Sequence, residues 1–332
     1  MPYPCSIYGI GVLANREIPG VPTSRISSVD LHINFGSLPD WTSTEASTDL
    51  KPFFASDMND ESGQPLLRFF RSTDANYYRF LYSDQTEFLV NKDGTEVWGK
   101  WPESLTLEDA ATYLLGPVMG FVLLLRGVVC LHASAVVIGD QAIALLGPAG
   151  SGKSTTAAAF SNRGYSVIAE DVVTLDDRGD HFLVRPAYPC IRLWPASVAA
   201  LFGADECLPR LTPNWDKRYL DLSQNFPAES VKLAAIYHLD NRRDSPEAPY
   251  VDGLNESDGL MSLVANTYAT KLMDKQMRAR EFELLTRVSH NVPLRRVTPH
   301  SDTTRIPDLC DRILEDFASL NLAYEEDSAL HV

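Results

Sequence analysis

The sequence predicts an α/β protein in which a smaller β-rich N-terminal domain precedes a larger α/β domain. Three observations lead to this prediction. The first hundred residues carry several short segments typical of strands, the later part alternates apolar strands with helices, and a glycine-rich loop separates one of those strands from a helix. The change of pattern places the predicted domains at residues 1–110 and 111–332.

The composition restricts the kinds of partner that the chain can bind. Its 332 residues are 45% hydrophobic and 22% charged, which is typical of a globular protein. The formal net charge is −15, whereas non-specific binding to nucleic acid or to an anionic membrane surface requires clustered Lys and Arg. We therefore predict no nucleic-acid partner and no membrane partner.

Cysteine usage and the N-terminus indicate the compartment. The five cysteines are odd in number and no two form a CxxC pair, so neither a disulfide framework nor a zinc site is indicated. The start of the chain has no basic region followed by an apolar run, which a secretory signal peptide would show. Together these features predict a cytoplasmic protein.

The N-terminal domain consists mainly of predicted strands and ends on a helix. That helix begins within residues 104–108, because a hydroxyl precedes acidic residues and then an apolar periodic run that continues to about Leu125. Its apolar part, residues 111–125, is shorter than the roughly 20 residues of a membrane span, and Gly116-Pro117 interrupts it, so we predict a buried helix. The strands are predicted at residues 29–35, 77–82, 87–90 and 95–98.

The second domain alternates strands and helices. Short continuous apolar runs indicate buried strands, and longer periodic runs indicate helices. The predicted strands are residues 128–137, 142–146, 166–169, 172–175, 181–184 and 233–239, and the predicted helices are 153–162, 260–272, 275–288 and 306–317.

The glycine loop matches the phosphate-loop pattern Gly147-x-x-x-x-Gly152-Lys153-Ser154. Its glycines allow backbone N–H groups to converge on phosphate oxygens, the lysine reaches the β- and γ-phosphates, and the serine hydroxyl binds Mg²⁺. A strand precedes the loop and a helix follows, as this mechanism requires. The loop thus predicts binding of ATP with Mg²⁺, with the nucleotide held by Gly147, Pro148, Ala149, Gly150, Ser151, Gly152, Lys153, Ser154 and Thr155.

Two adjacent acids end the strand predicted at residues 166–169. Mg²⁺ needs oxygen ligands in addition to Ser154, and an acid at the end of a neighbouring strand is the usual source. One of Glu170 and Asp171 can bind the metal while the other accepts a proton from an attacking hydroxyl, and the sequence leaves open which does which. We predict Ser154, Glu170 and Asp171 as metal ligands, and both acids together with Lys153 as catalytic residues.

Four further residues are candidates for the site. His132 lies on the strand predicted at 128–137, and because an imidazole titrates near neutral pH it can tune a neighbouring carboxylate. Lys217 and Arg218 follow Pro213 in a predicted loop, where they can hold an acidic substrate or neutralise the transferred phosphate. Arg192 is a further candidate for substrate binding. Each of these three basic residues can equally be an ordinary solvated side chain.

The segments 131–133, 147–154 and 169–171 together resemble the HPr kinase/phosphorylase family in their order and spacing. The segment 139–175 is also similar to the nucleotide loop of ATP-dependent phosphoenolpyruvate carboxykinase. The resemblance implies a carboxykinase-like P-loop domain with a mixed, curved sheet, transfer of the γ-phosphate of ATP to a protein serine, a catalytic role for His132 beside the two acids, and a homo-oligomer.

The chain also departs from the family pattern. The family usually has two aspartates where this sequence has Glu170-Asp171, and the glycine-rich segment linked to the reverse reaction is missing. The β-rich front differs from that of the full HPr enzymes. Segments 191–195 and 216–219 resemble HPr-kinase-like proteins of ribosomal peptide maturation, including lasso-peptide precursor kinases.

These observations lead to three functional hypotheses. The first is a kinase that phosphorylates a serine or similar hydroxyl on a peptide or protein. The second is a small-molecule phosphotransferase or carboxykinase-like enzyme, which requires a compact basic pocket near the loop that the sequence does not reveal. The third is a regulatory module that binds ATP without catalysis.

Overall fold

A computed structural model describes residues 2–39, 52–72 and 76–330. The chain forms two compact units. Unit 1 comprises Met1–Cys130, Arg210–Lys217 and Tyr268–Glu281, and unit 2 comprises Leu131–Pro209, Arg218–Thr267 and Phe282–Val332. The units divide the chain differently from the predicted domains 1–110 and 111–332, and that domain division stays a prediction.

Unit 1 is built on an eight-stranded sheet, which confirms the predicted β-rich front. Parallel pairing joins β2 to β3 and β3 to β8, and the remaining neighbours are antiparallel. The strand order is β1-β2-β3-β8-β7-β6-β5-β4. The strands are β1 (Tyr3–Ile7), β2 (Ile10–Ala14), β3 (Leu31–Phe35), β4 (Phe54–Ala55), β5 (Leu67–Arg71), β6 (Tyr77–Tyr82), β7 (Glu87–Asn91) and β8 (Glu96–Lys100).

The helical run of unit 1 begins with a capping box. Thr106 and Asp109 exchange side-chain and backbone hydrogen bonds at the start of α1 (Leu107–Tyr113). A π-helical turn, Leu114–Val118, then contains Pro117, whose missing N–H removes a regular helix bond, before α2 (Met119–Leu125) resumes. Leu107–Leu125 is long and apolar enough to cross a membrane, but 78% of its apolar window is buried inside the protein. This burial is typical of a core helix.

The second sheet has nine strands and is mixed and curled, as predicted. Its centre is β17, which pairs in parallel with β11 and β19 and antiparallel with β14. The strands are β9 (Val129–Leu131), β10 (Ala133–Ile138), β11 (Gln141–Leu146), β12 (Ser166–Ala169), β13 (Val173–Asp177), β14 (Phe182–Val184), β17 (Val231–Leu239), β18 (Tyr250–Gly253) and β19 (Leu294–Thr298). A separate antiparallel pair joins β15 (Cys190–Leu193) to β16 (Arg218–Asp221).

Helices cover the apolar face of this sheet in unit 2. Buried residues of α3, such as Phe160, share one core cluster with the strands and with Ile313 of α7. Burying a large apolar side chain of this kind contributes roughly 1.5–3 kcal/mol to folding. The helices that follow the first sheet are α3 (Lys153–Asn162), α4 (Pro195–Phe202), α5 (Glu256–Ala265), α6 (Lys275–Asn291) and α7 (Ile306–Leu330).

Several element predictions were wrong in detail. The single strand predicted at 128–137 is interrupted at His132, whose N–H donates to Asn266 O at 2.7 Å instead of joining the ladder. The helix predicted at 260–272 ends at Ala265, with Asn266 as its C-cap, and Thr267 then forms an isolated bridge with Leu131. Arg218 begins strand β16 and does not lie in a loop.

Candidate active site

The glycine loop connects β11 to the start of α3 in unit 2. Gly147 and Gly152 have φ of +143° and +105°. Glycine is favoured at both positions, because residues with a Cβ rarely adopt such positive φ values. A Cβ at Gly147 would lie 2.6 Å from the carbonyl oxygen of Leu239, at the end of β17. The loop therefore packs against the end of the central strand, which fixes the position of its backbone.

Lys153 is buried at the first position of α3, with only 6% of its surface exposed. Its ammonium group donates to the backbone oxygens of Gly147, at 2.7 Å, and Pro148, at 3.1 Å. Burial lowers the pKa of Lys153, and the negative charges of Asp171 and Glu170 oppose this shift. The lysine thus lies inside the loop and within the electrostatic reach of both acids.

The acid pair lies directly beside the loop. The Ser154 hydroxyl donates to Oε1 of Glu170 at 2.8 Å. Asp171 has φ of +67°, which is uncommon for a residue other than glycine, although aspartate adopts it more readily than most. The side chains differ in accessibility, since Glu170 is 6% exposed and Asp171 is 22% exposed. The two predicted carboxylates therefore lie in different environments, one buried and one partly exposed to solvent.

Arg192 lies on β15 and makes ion pairs with both acids. Its Nη2 is 2.7 Å from Oδ2 of Asp171, and its Nε is 3.6 Å from Oε2 of Glu170. Burial, the largest influence, lowers the pKa of Arg192, but Tyr188 and the two acids outweigh it and raise that pKa above its usual range. The guanidinium thus balances one buried and one partly exposed carboxylate within the protein, and the substrate contact predicted for Arg192 stays a prediction.

His132 contacts the same aspartate. Its Nδ1 lies 3.1 Å from the backbone oxygen of Asp171 and 3.2 Å from the carboxylate Oδ1. The break between β9 and β10 places the imidazole there, since the strands stop on either side of it. The three sequence segments that carry the family resemblance are thus brought together in one place.

Arg218 and Lys217 are the two remaining predicted residues. The Arg218 side chain is buried, and its guanidinium donates to the backbone oxygen of Asp205 at 3.1 Å and to Oδ2 of the same residue at 2.8 Å. Lys217 belongs to unit 1. The catalytic role predicted for Arg218 and the substrate contacts predicted for both residues stay predictions.

A cavity of about 320 Å³ opens beside the glycine loop in unit 2. One wall is formed by α3 and α4, where the Thr155 and Ser197 hydroxyls lie 2.8 Å apart. The other walls come from the segments after β17 and before α7. Its lining includes Gly152, Thr155, Trp194, Arg242, His300 and Arg305.

The sequence did not reveal the basic residues of this cavity. Arg242 and Arg305 are distant from the glycine loop in the chain, so no local pattern joins them to it. The one usable signal was positional, because Arg242 follows the apolar strand β17, whose parallel neighbour β11 leads into the loop. Basic residues do therefore lie near the loop, although none is visible there in the sequence.

His238 is a second residue that the sequence did not single out. It lies on β17 opposite Leu146, the residue before the loop. Its Nδ1 is 2.6 Å from the Ser262 hydroxyl. Burial lowers the pKa of His238, with a smaller lowering from Arg296 and Lys153 and an opposing effect from Asp240. Burial therefore disfavours the charged form of this imidazole.

Known structures resemble this chain, whereas family models and curated proteins do not. No protein-family model matches the chain, and no curated protein matches it. The structure is similar to the Hpr(Ser) kinase/phosphatase from Coxiella burnetii, with 14% sequence identity and a TM-score of 0.35, over 61% of this chain and 96% of that one. A similarity this distant does not assign an activity.

Proposed function

We propose that this protein is an ATP-dependent kinase that transfers the γ-phosphate of ATP to a hydroxyl group of a peptide or protein, with serine as the acceptor. The observation that carries this proposal is the 2.8 Å hydrogen bond between the Ser154 hydroxyl and Glu170. It joins a phosphate-loop sequence to an acid pair, and phosphoryl transfer requires both a phosphate cradle and carboxylates beside it.

The glycine loop and the adjoining cavity suit the two ends of ATP. Loop N–H groups and the N-terminus of α3 bind the phosphates, and Lys153 supplies a positive charge. The cavity of about 320 Å³ reaches the lower end of the usual size for small-molecule sites. Thr155 and Trp194 line this cavity, and an aromatic side chain can stack on a base. We therefore assign the cavity to the nucleoside of ATP.

The site fits Mg²⁺ held jointly by protein and nucleotide. Among the described residues no group of three or more His, Cys, Asp or Glu can hold a metal ion alone. Mg²⁺ bound with a nucleotide usually takes one or two protein oxygens and completes its shell with phosphates and water. Ser154 and Glu170 provide such a pair. When bound, Mg²⁺ neutralises charge on the phosphates.

Asp171 is the better candidate for the proton acceptor. It is the more exposed of the two acids, and His132 and Arg192 hold its carboxylate from two directions. The acceptor hydroxyl gives its proton to Asp171 as its oxygen bonds to the γ-phosphorus and the bond from that phosphorus to the β-phosphate bridging oxygen breaks, releasing ADP. Arg192 fixes the pair so that Glu170 serves the metal and Asp171 the proton.

The acceptor that we propose is a peptide, and a ribosomal precursor peptide of the lasso type is the specific candidate. This part of the proposal is supported by the resemblance of segments 191–195 and 216–219 to kinases of peptide maturation. An acidic protein with a net charge of −15 also favours encounter with basic peptides.

The test is incubation with γ-labelled ATP, Mg²⁺ and a set of serine-containing precursor peptides. We expect label on a peptide serine, loss of that label with Asp171→Asn, and normal labelling with Asp252→Asn, which removes an exposed carboxylate on β18. Full transfer by Asp171→Asn would contradict the assigned base. Transfer to small hydroxy acids or sugars, with none to peptides, would replace the peptide kinase by a small-molecule phosphotransferase.

A further inference from the structure

The first turn after β17 brings an arginine against the glycine loop. A Cβ built on Gly152 would lie 3.2 Å from Nη2 of Arg242. The same arginine lines the cavity together with Ser151 and Thr155, which flank Gly152 and belong to the predicted nucleotide-binding residues. The Arg242 guanidinium therefore lies where the loop and the cavity meet.

The backbone on both sides of Arg242 is anchored. Asp240 N–H donates to Val297 O at 2.8 Å, and Arg243 N–H donates to Pro299 O at 2.9 Å. The Arg243 carbonyl in turn accepts from Ser301 N–H at 3.0 Å. These bonds tie the turn to the segment after β19, so the approach of Arg242 to Gly152 is set by the fold of unit 2.

The charge of Arg242 is not balanced by a carboxylate in the described parts of the chain. Nearby acids have other partners: Asp244 lies 3.8 Å from His300 Nε2, and Asp308 lies 2.8 Å from Arg305 Nε. Lys153 adds a second positive charge at the same loop. Two cations held around one loop repel each other, and an anion bound between them removes that repulsion.

We propose that Arg242 binds the nucleotide phosphates at the junction between the loop and the cavity, as a second cation beside Lys153. This inference rests on the proposed ATP-binding function. The planar guanidinium can donate two parallel hydrogen bonds to a phosphate, which a lysine cannot. Because Arg242 faces the cavity and the acid pair adjoins Ser154, the arginine contributes to binding ADP and ATP alike and contributes little to the transfer step.

The experiment measures binding of Mg²⁺-ATP and Mg²⁺-ADP to the full chain by titration calorimetry. It also measures the KM for ATP and the kcat of phosphate transfer from γ-labelled ATP to the peptide. A charge-assisted hydrogen bond contributes enough that Arg242→Ala should weaken both nucleotides by roughly tenfold to a hundredfold. The KM for ATP should rise by a similar factor while kcat changes less than about threefold. Arg242→Lys should fall between the wild type and Arg242→Ala.

Arg243→Ala is the matched control, since it removes the same charge from the next residue. Both arginines are exposed, and of the two only Arg242 lines the cavity. It should bind both nucleotides like the wild type. Equal losses in Arg242→Ala and Arg243→Ala would show a general charge effect and overturn the inference, and so would wild-type affinity in Arg242→Ala.

Lys153→Ala separates failure of this inference from failure of the proposed function. If Lys153→Ala loses ATP and Arg242→Ala does not, only the role of Arg242 is refuted. If the wild-type chain does not bind ATP, or if Lys153→Ala binds it normally, the proposed function fails and the Arg242 assignment fails with it.

Discussion

The Ser154 hydroxyl donates to the Glu170 carboxylate at 2.8 Å, and this contact joins the first turn of α3 to the end of β12. Oxygen atoms from two elements thereby meet at the point where the loop ends. A serine hydroxyl and a carboxylate at that distance are a suitable pair of ligands for a nucleotide-bound Mg²⁺.

Lys153→Ala should reduce ATP affinity or turnover by two orders of magnitude or more. The ammonium group is buried, and its hydrogen bonds now go to the loop's own carbonyls, so the phosphates are its natural alternative partner. Titration calorimetry and labelled-phosphate transfer measure the two quantities. Wild-type turnover in this variant would refute nucleotide binding by the loop.

Glu170→Gln and Asp171→Asn should have different kinetic effects. Because Glu170 contacts Ser154, its amide variant should raise the Mg²⁺ concentration needed for half-maximal turnover by about tenfold or more. Loss of a group that merely orients a metal ligand already lowers metal affinity by roughly 10–100-fold. Asp171→Asn should lower kcat by roughly 10²–10⁴ at saturating Mg²⁺, the usual contribution of a general base. Turnover measured as a function of Mg²⁺ and of ATP concentration separates these two effects. A lower kcat in Glu170→Gln and a higher Mg²⁺ requirement in Asp171→Asn would exchange the two roles.

Arg192→Met should destabilise the protein as well as inactivate it. The guanidinium is 9% exposed and balances two carboxylates, so its removal leaves buried charge without compensation. Breaking such a pair costs about 3–5 kcal/mol. Urea unfolding measures this loss of stability. The double variant Arg192→Met, Asp171→Asn should recover part of it, because the second substitution removes one of the two negative charges that Arg192 balances. Full activity of Arg192→Met would contradict the positioning role.

Glu281→Gln should stabilise the protein at alkaline pH. Burial raises the pKa of Glu281 to about 8, with Arg278 opposing the shift in part. Between the ordinary carboxyl pKa of 4.5 and about 8 the folded state binds more protons than the unfolded state, so stability falls as pH rises through this window. The glutamine variant lacks this loss.

At pH 8 Glu281→Gln should therefore exceed the wild type by at least about 1 kcal/mol, since each pKa unit corresponds to roughly 1.4 kcal/mol. The difference should narrow towards pH 5. Urea unfolding of both proteins at several pH values measures it. A constant difference across the range would show that Glu281 does not titrate as its burial indicates.

The sequence revealed those features whose chemistry lies in consecutive residues. The loop 147–154, the helix after it and the acid pair 170–171 were all recognisable, because strand, glycine loop and helix follow one another without interruption. The sequence also indicated four of the eight strands of the first sheet and all but β18 and β19 of the second, since alternating or continuous burial leaves a pattern in hydrophobicity. The short elements α4, β15 and β16 were missed, because four to eight residues carry too little periodicity.

Which residues contact Arg192 and Arg242 depended on the fold. Arg192 looked like a residue for a substrate, yet β15 directs it to Glu170 and Asp171, a contact that no spacing along the chain encodes. Arg242 and the cavity beside Gly152 were likewise invisible, because they depend on the parallel pairing of β11 with β17.

The sequence by itself determined the glycine loop, the acid pair and the α/β class, because each depends on local geometry or on periodic burial. Only the tertiary structure decided which side chains face one another across that loop. It placed Glu170 against Ser154, Asp171 between His132 and Arg192, and Arg242 against Gly152. The physical reason is that charge pairing acts between atoms a few ångströms apart in space, whereas a sequence records only neighbours along the chain.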